Sequence, residues 1–411
     1  MHRLVVLGAG TAGTIVANKL RGQLPEHAWT ITIVDQDDTH LYQPGLLLLP
    51  FDIYTPDELV KPRAGLLSDG VELVISPVER VVAEDDLVLL ANGRELHYDY
   101  LVIATGTSPR PEQTPGMLGT EWRKSIFDFY TPDGAIALRD KLADWAGGRL
   151  VVHINEMPIK CPVAPLEFAF LADSFFEERN MRDKVEITYV TPLEGAFTKP
   201  IATKRLSRML SDRDIEVVSD FIVDRIDDDR KTLVSMDERE VPFDLLVTVP
   251  VNMGADYIAR SDLGDELNHV PVDHGTLRSA DYPKIFALGD AAAIPTSKAG
   301  SAAHFAVEVF VKNFFDLLAG RPLTHRFDGH VNCFVESGSG KGLLIDFNYD
   351  TEPLPGHYPV PGVGPFSLLE ETRANHLGKL GFRHAYWHLL LKGRPLPIPT
   401  AMSMAGKHTD G

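Results

Sequence analysis

The sequence lacks most of the features that define specialised classes of protein. Among its 411 residues only two are cysteines, Cys161 and Cys333. Two cysteines exclude a disulfide scaffold, and their spacing matches no zinc site, so we predict no bound metal. A chain of this length does not need a disulfide to fold. If the two thiols matter, we expect them to matter for chemistry.

Long apolar runs and an excess of positive charge are also missing. No apolar stretch reaches the roughly 18 residues of a membrane-spanning helix, and a strand-like run from Leu4 leaves no room for a signal peptide after Met1. The formal net charge of −18 would meet a nucleic-acid backbone with like charge, so we predict no such partner. We expect a cytoplasmic protein that can touch a membrane only from one face.

What the sequence does contain is a regular alternation of strand and helix patterns. A first strand–helix–strand unit is predicted over Arg3–Leu7, Gly13–Leu20 and Thr30–Val34. A second unit is predicted over Arg149–Ile154, Pro165–Glu177 and Val185–Val190. Such units imply a parallel sheet covered by helices, so the predicted fold class is α/β.

Further apolar runs indicate how the two units are arranged along the chain. Tyr98–Ala104 is predicted as another strand, and we interpret Leu245–Val249 and Ile285–Leu288 as strands of the first domain resumed. We therefore predict two Rossmann-like domains of the FAD/NAD(P)-binding type, the second inserted in the first. The first domain is formed by 1–112 and 243–325, the second by 113–242, and a C-terminal region by 326–411.

A glycine-rich turn lies between the first strand and the first helix. It comprises Gly8, Ala9, Gly10, Thr11, Ala12 and Gly13, and Asp35 ends the next strand. The glycines allow the backbone to approach a pyrophosphate, the helix N-terminus attracts its charge, and the aspartate accepts hydrogen bonds from a ribose. The pattern predicts a dinucleotide site, with an ordinary glycine-rich turn as the weaker alternative.

Two later motifs favour FAD as the dinucleotide. Ala104, Thr105 and Gly106 end a strand where a flavin domain returns beneath its nucleotide. Gly289 and Asp290 follow another strand, which places the aspartate to hold the ribityl chain while the next helix points at the flavin. Either motif alone is compatible with a simple turn. Together and in this order they predict FAD.

The corresponding turn of the second unit, residues 155–162, contains no glycine. Its Glu156 would also repel a pyrophosphate, so we do not expect NADH to bind there. Cys161 lies in this turn, next to Lys160 and just before a helix. Both a helix N-terminus and a neighbouring lysine lower the pKa of a thiol, so we predict that Cys161 is reactive.

Two further residues belong to this predicted site. Glu167 follows Cys161 on the helix and is either a proton acceptor or only a carboxylate that favours the helix dipole. Cys333 is distant in the chain, so the two thiols can act together only if the fold brings them close. For each cysteine the alternative is an inert, buried thiol.

Three segments carry a resemblance to a known family. Lys160–Glu167 resembles the active-site segment of the sulfide:quinone oxidoreductases, and His40–Pro44 resembles their loop beside the flavin. Asn375–Lys379, with Tyr386 and Trp387 after it, resembles their C-terminal region. With the FAD motifs, the resemblance covers nearly the whole chain.

This resemblance implies a reaction as well as a fold. It implies two stacked Rossmann-like domains, one FAD, a redox-active pair of Cys161 and Cys333 on one flavin face, and a quinone site on the other. Sulfide would be oxidised to sulfane sulfur or polysulfide, and the electrons would pass to a membrane quinone. The remaining expected residues are Glu167 as acid and base, Gln43 beside the flavin, Lys298 and Lys379 near its reduced ring, and Phe347 and Tyr386 in the quinone pocket.

The sequence departs from the family at two places. Ser125–Tyr130 contains no cysteine where many members have a third, so covalent attachment of the flavin is not expected. Leu193–Thr198 lacks a histidine that is common there. These differences predict a divergent member that binds FAD non-covalently.

The C-terminal segment has an unusual distribution of charge. No acidic residue lies between Glu371 and Asp410, whereas basic and apolar residues alternate from Arg373 to Arg394. This pattern predicts an amphipathic helix in a membrane interface, on the cytoplasmic face of the cell membrane, with its aromatic residues at the boundary. The alternatives are a helix packed on the acidic body of the protein and a contact within a homo-oligomer.

Three other functions are compatible with the sequence. The flavoprotein subunit of a flavocytochrome c sulfide dehydrogenase has FAD and a cysteine pair, but we expect it to carry an export signal. A type II NADH:quinone dehydrogenase needs the glycines that residues 155–162 lack. A flavin-binding redox sensor would use the thiols to switch a partner interface without turnover.

Overall fold

The structure, a computed structural model, describes residues 1–396 and 398–408. Residues 397 and 409–411, which belong to the predicted C-terminal region, lie outside the described residues. Three sheets organise the described part of the chain: two parallel sheets of five strands each, and a mixed sheet of four strands near the C-terminus.

The first sheet joins the two ends of the predicted first domain. Its strands, in spatial order, are Ile285–Ala287, Tyr100–Ile103, His2–Leu7, Trp29–Asp35 and Val71–Ile75, and all neighbours are parallel. The predicted return of the chain to this sheet near Ile285 is confirmed. Because the strands are parallel, their carboxyl ends share one edge, and Gly8, Ala104 and Gly289 follow three adjacent strands there.

The second sheet corrects one of the predictions. Its strands, in spatial order, are Ile126–Phe127, Leu245–Val249, Gly148–Ile154, Val185–Val190 and Ile215–Val218, all parallel. The prediction that Leu245–Val249 rejoins the first domain is wrong, because Leu245 pairs with Leu150 in the second sheet. A strand that is apolar on both faces fits either parallel sheet, so its pattern does not identify its neighbours. The predicted end of the second domain at residue 242 therefore falls before a strand that belongs to the sheet of that domain.

The third sheet, here called the C-terminal sheet, supports the second cysteine. Its strands, in spatial order, are Val331–Gly338, Lys341–Phe347, Gly364–Leu368 and Gly356–Val360. Cys333 lies on the first of them, opposite Ile345. Three helices pack against this strand: Ala164–Glu178, which follows Cys161, Gly300–Leu318, and the C-terminal helix, Arg373–Ala385.

The remaining elements connect and cover these sheets. The other α-helices are Thr11–Arg21, Pro132–Asp144, Pro200–Ser211 and Asp256–Arg260. Two three-stranded sheets are formed by Val78–Val82, Leu87–Leu90 and Glu95–His97, and by Val223–Asp227, Thr232–Ser235 and Glu240–Pro242. Strand pairs are formed by Thr39–Leu41 with Val60–Pro62, Thr107–Arg110 with Val251–Gly254, and Val270–Pro271 with Ala292–Ala293.

The C-terminal helix begins at a clear cap and ends in a change of helix type. The Thr372 hydroxyl accepts a hydrogen bond from Asn375 N–H at 3.1 Å, and a π-helical turn follows over Tyr386–Leu390. Tyr386 and Trp387 are buried, so the prediction that these aromatic residues lie at a membrane boundary is wrong. No helix in the described ranges has both the length and the apolar character needed to span a bilayer.

Candidate active site

The glycine-rich turn lies at the carboxyl edge of the first sheet. Gly8, with φ +96°, donates its N–H to Val34 O at 2.7 Å, and a Cβ on Gly8 would come within 2.4 Å of Ala104 O. A Cβ on Gly13 would lie 1.8 Å from Gly8 O. A Cβ on Gly10, in contrast, would meet no atom within 4 Å. Packing therefore requires glycine at positions 8 and 13, whereas Gly10 borders open space.

This open space has the properties that a pyrophosphate requires. Helix Thr11–Arg21 begins there without a side-chain cap, so the N–H groups of its first turn are available to an anion. Gly289, with φ +66°, comes close to the same turn, and a Cβ on it would lie 3.3 Å from the Cβ of Ala12. The predicted motifs at Gly8–Gly13 and Gly289 thus meet, and the residues present fit a dinucleotide.

Asp35 ends its strand beside this turn. Its Oδ2 accepts a hydrogen bond from Ala9 N–H at 2.7 Å, and its Oδ1 lies 3.2 Å from Nη2 of Arg63. Burial raises the pKa of the Asp35 carboxyl, and the Arg63 guanidinium opposes that effect. Arg63 also donates to Ala9 O at 2.6 Å. No sequence motif links Arg63 to the turn, so sequence analysis missed it.

Tyr386 also lies at the glycine-rich turn. Its hydroxyl is 2.7 Å from Nε2 of His40 and 2.8 Å from Oγ1 of Thr11, and Nδ1 of His40 is 3.0 Å from Ala9 O. Burial, together with the nearby charge of Arg63, lowers the pKa of His40 to about 4. The neutral imidazole therefore donates from Nδ1 to Ala9 O and accepts the Tyr386 hydroxyl at Nε2.

Three other predicted residues are placed as follows. Phe347 is buried beside Phe197, so the structure does not bring it into one pocket with Tyr386. Gln43 is exposed at the start of a short 3₁₀ turn, Gln43–Leu47. Lys298 is buried, and the preceding turn binds its amine.

The Lys298 amine donates to Asp290 O at 2.7 Å and to Ala292 O at 3.1 Å. These bonds hold the backbone of the Gly289–Ala292 turn in place. Asp290 itself has a raised carboxyl pKa, because burial outweighs the opposing charges of Lys298 and Lys160. In the predicted motif Ala104–Gly106, Gly106 has φ +65°, and the Thr105 hydroxyl lies 3.2 Å from the Tyr257 hydroxyl.

Cys161 sits in an unusual backbone conformation just before its helix. Its φ is +50°, which is uncommon outside glycine and concentrates at functional sites. Its N–H donates to Lys298 O at 2.7 Å, and its carbonyl accepts from the Tyr130 hydroxyl at 3.2 Å and from Ala164 N–H at 2.9 Å. The bond to Lys298 O fastens the turn that carries Cys161 to the Asp290–Lys298 region.

The fold places the two cysteines within electrostatic range of each other and of Glu167. Both are half-buried, and neither forms a disulfide. Burial and the charge of Glu167 raise the pKa of Cys161 to about 12. Burial, and then the charge of Cys161, likewise raise the pKa of Cys333. The prediction of a lowered pKa at Cys161 is wrong, because loss of water around the thiol outweighs the opposing effects of the Lys379 charge and the Ala164 N–H.

Glu167 connects the cysteine helix to the C-terminal sheet and the C-terminal helix. Its side chain has no exposed surface, and its Oε1 accepts hydrogen bonds from Glu336 N–H at 2.6 Å and from the Lys379 ammonium. Its Oε2 has no hydrogen-bond partner among the residues that the structure describes. Burial raises the pKa of Glu167, while Lys379 opposes this shift. Lys379, predicted beside the flavin ring, is thus paired with a carboxylate.

Glu336 and His376 extend this group of charged side chains. Nδ1 of His376 lies 2.9 Å from one carboxylate oxygen of Glu336 and 3.1 Å from the other. Sequence analysis missed Glu336 because a single acidic residue on a strand has no recognisable signal. His376 lies within the resembling segment Asn375–Lys379, but its partner could not be known from that segment.

Together these residues can perform thiol–disulfide exchange and transfer protons next to a bound dinucleotide. Two parallel sheets with a glycine-rich turn and neighbouring thiols define a dinucleotide-binding oxidoreductase of the disulfide type. Residues 2–308 match the family described as pyridine nucleotide-disulphide oxidoreductase, and the chain belongs to this family.

Relatives and solved structures give a more specific comparison. The chain is 27% identical over 398 residues to the mitochondrial sulfide:quinone oxidoreductase of Dictyostelium discoideum, covering 95% of this chain and 86% of that protein. It is 26% identical over 421 residues to the Schizosaccharomyces pombe protein of the same name, at 95% and 90% coverage. The sulfide:quinone oxidoreductase structure from Aquifex aeolicus superimposes with a TM-score of 0.80 at 20% identity, covering 96% of this chain and 92% of that chain.

These comparisons confirm the resemblance stated from the sequence. They establish an α/β flavoprotein fold and an enzyme that acts as an oxidoreductase with a flavin cofactor. They do not assign individual residues, which have to be argued from the geometry described above.

Proposed function

We propose that this chain is a sulfide:quinone oxidoreductase that oxidises sulfide to sulfane sulfur or polysulfide through Cys161 and Cys333. The main support is that both cysteines lie within electrostatic range of Glu167, although Cys161 is in the turn before a helix and Cys333 is on a strand far away in the chain. Relatives that align along nearly the whole chain carry this activity in their names.

FAD is the proposed cofactor, bound non-covalently. The phosphates would lie against Gly8, Gly10, Thr11, Ala12 and Gly13, with Asp35 on the ribose, Ala104, Thr105, Gly106 and Gln43 around the flavin side, and Gly289 and Asp290 at the ribityl chain. The open space beside Gly10 and the uncapped helix N-terminus support this assignment. When bound, FAD supplies the acceptor for two electrons from the thiol pair.

The residues of this chain have defined roles in the first step. Sulfide attacks the oxidised Cys161–Cys333 pair: a bond forms between its sulfur and Cys161 Sγ, the bond between the cysteines breaks, and Cys333 leaves as a thiolate. Glu167 is the proposed acid and base, because its raised pKa and its unsatisfied Oε2 suit it to accept the proton of the attacking sulfide. Lys379 compensates negative charge in this buried space.

A nicotinamide nucleotide is disfavoured as electron donor. The turn at residues 155–162 has no glycine, and a cavity of about 230 Å³ beside it is bordered by Glu156, Asp224 and Glu266. Three carboxylates would repel a pyrophosphate at this position. This observation supports sulfide over NADH as the reductant.

The acceptor is proposed to be a membrane quinone, reached by a peripheral protein on the cytoplasmic face of the membrane. The hairpin Gly356–Leu368 contains no charged residue from Tyr358 onward, and Val360 and Val363 at its tip are exposed, the latter by 77%. The hairpin packs against the C-terminal helix, where Leu377 is exposed. We assign membrane contact to this apolar surface, and we keep Phe347 and Tyr386 only as residues to be tested for quinone binding.

One experiment tests the proposed function. The purified yellow protein is mixed anaerobically with sulfide or with NADH, flavin bleaching is recorded, and a soluble quinone is then added. We expect rapid bleaching by sulfide, little by NADH, and re-oxidation by quinone. Bleaching by NADH alone would favour the type II dehydrogenase, and sulfide bleaching without quinone re-oxidation would favour a different acceptor.

A further inference from the structure

One buried hydroxyl joins the C-terminal segment to the glycine-rich turn. Tyr386, which is 3% exposed, begins the π-helical turn after the C-terminal helix, and its partner Thr11 lies 375 residues earlier in the chain. The Tyr386 hydroxyl is 2.8 Å from Thr11 Oγ1 and 2.7 Å from His40 Nε2. Burying a hydroxyl is costly unless it is hydrogen-bonded, and both of these bonds are made at the turn. Short π-helical turns are frequent at functional sites.

The directions of these hydrogen bonds follow from the chemistry of the groups. Ala9 O can only accept, so His40 Nδ1, at 3.0 Å from it, is the donor. His40 is neutral at neutral pH, because burial, with the nearby charge of Arg63, lowers its pKa to about 4. His40 Nε2 therefore accepts from the Tyr386 hydroxyl, whose oxygen accepts from Thr11. Hydrogen bonds thus connect Ala9 O to Thr11 without a gap.

The Ala9 carbonyl is the point on which these bonds converge. Besides His40, it accepts from Arg63 at 2.6 Å and from the Thr14 hydroxyl at 3.0 Å. The peptide group between Ala9 and Gly10 is trans, so its N–H points away from the carbonyl and its donors. Within the described ranges the Gly10 N–H has no acceptor. Fixing the carbonyl therefore fixes an N–H that is available to an anion beside the turn.

A second contact fastens the same helix to the C-terminal segment. Asn18, which is buried and lies two turns after Thr11, donates from Nδ2 to Leu391 O at 2.7 Å and to Leu66 O at 2.9 Å. Its Oδ1 accepts from Ser68 N–H at 2.7 Å. The segment that follows the C-terminal helix thus holds the helix Thr11–Arg21 at two places, one of them at its N-terminus.

We propose that Tyr386 clamps the dinucleotide turn through Thr11 and His40, and that the C-terminal segment is thereby part of the FAD site. The inference rests on the proposed FAD site and does not depend on sulfide oxidation. The clamp holds the Gly10 N–H and the first turn of the helix in one orientation, so that less order has to be created when the pyrophosphate binds. Tyr386 is a positioning residue, because it acts through Thr11 and His40.

The test measures the release of FAD from the loaded, full-length protein after dilution, followed by the fluorescence of free flavin. Tyr386→Phe keeps the ring and removes only the hydroxyl. The matched control is Tyr282→Phe, which removes a hydroxyl that donates to Glu84 at 2.9 Å, before strand Ile285–Ala287 and at the opposite edge of the first sheet. We expect about 10-fold faster release from Tyr386→Phe, because His40 Nε2 stays buried without its donor, and no change in the control.

A spectroscopic measurement separates positioning from general stability. The phosphorus NMR resonances of bound FAD should shift in Tyr386→Phe and stay at their wild-type positions in Tyr282→Phe. A lower unfolding temperature of Tyr386→Phe, with unchanged FAD release and unchanged resonances, would show that the hydroxyl only stabilises the fold. His40→Leu removes the clamp from its other side, should also release FAD faster, and replaces Tyr386→Phe if that variant does not fold.

The possible results separate this proposal from the proposed function. Purified wild-type protein that cannot bind FAD would overturn the proposed cofactor and the clamp together. Bound flavin that sulfide does not bleach would overturn only the proposed function, since FAD release still decides the clamp. Release at the wild-type rate from both Tyr386→Phe and His40→Leu would refute the clamp. A raised KM for quinone in Tyr386→Phe, with unchanged FAD release, would assign Tyr386 to the quinone site instead.

Discussion

The ammonium of Lys379 donates a hydrogen bond to Oε1 of Glu167, a carboxylate with no exposed surface, from a position 212 residues later in the chain. This pair links the helix after Cys161 to the C-terminal helix, and the Glu336 backbone adds the strand that carries Cys333. The contact therefore brings together the three elements that build the thiol site. Its removal should affect stability as well as chemistry.

The first prediction concerns this buried pair. Glu167→Gln leaves the Lys379 charge without its partner, and we expect the free energy of unfolding to fall by about 3 kcal/mol. The measurement is urea unfolding at neutral pH. Glu72→Gln is the matched control, because the pair of Glu72 with Arg94 is about half exposed and is worth less than about 1 kcal/mol. An equal loss in both variants would contradict the importance of the buried pair.

The second prediction concerns the two thiols. Cys161→Ser and Cys333→Ser should each slow flavin reduction by sulfide at least about 100-fold, because a hydroxyl cannot take part in disulfide exchange. Reduction by dithionite serves as control and should be unchanged, since it bypasses the thiols. Near-normal sulfide bleaching in either variant would refute the role of the pair.

The third prediction separates two glycines of the dinucleotide turn. Gly13→Ala should destabilise the fold, because its Cβ would lie 1.8 Å from Gly8 O. Gly10→Ala should fold normally but retain much less flavin, because its Cβ meets no protein atom and enters the space assigned to the pyrophosphate. Thermal unfolding and the ratio of flavin to protein are the two measurements. Full flavin content in Gly10→Ala would place the phosphates elsewhere.

The fourth prediction concerns His40 and acid stability. Its pKa in the folded state, about 4, lies below the unfolded value of about 6.5, so the unfolded state binds the proton more tightly. Stability is therefore complete above pH 6.5 and decreases as the pH falls from 6.5 towards 4, by about 3 kcal/mol in total. Urea unfolding at several pH values measures this slope.

A substitution tests the assignment of that slope to His40. His40→Gln should flatten the pH dependence between 6.5 and 4, whereas His384→Gln, at an exposed position, should leave it unchanged. The same slope in His40→Gln and wild type would mean that another group is responsible.

The fifth prediction concerns the apolar surface of the hairpin. Replacing both Val360 and Val363 by serine should weaken binding to vesicles of phosphatidylcholine and phosphatidylglycerol by about 10-fold, because less apolar area leaves water. Vesicle co-sedimentation measures the change. Met236→Ser is the control, since Met236 is also exposed but lies in the second domain. Equal losses in both proteins would show that the hairpin is not the contact.

Local patterns identified the dinucleotide turn and the strand near Ile285 because those features depend on neighbouring residues. The glycines of the turn are separated by only a few positions, and the backbone conformation they allow is set locally. The strand Leu245–Val249 was assigned to the wrong sheet, because a fully apolar strand satisfies either parallel sheet equally well.

The sequence by itself determined the α/β class and the glycine-rich turn with Asp35, because short-range spacing and residue chemistry are sufficient for these. Only the tertiary structure decided that Cys333 lies within electrostatic range of Cys161, that Lys379 pairs with Glu167, and that Tyr386 hydrogen-bonds to Thr11 at the glycine-rich turn. These contacts join residues far apart in the chain. Desolvation then sets the thiol pKa values, and burial is a property that no local pattern contains.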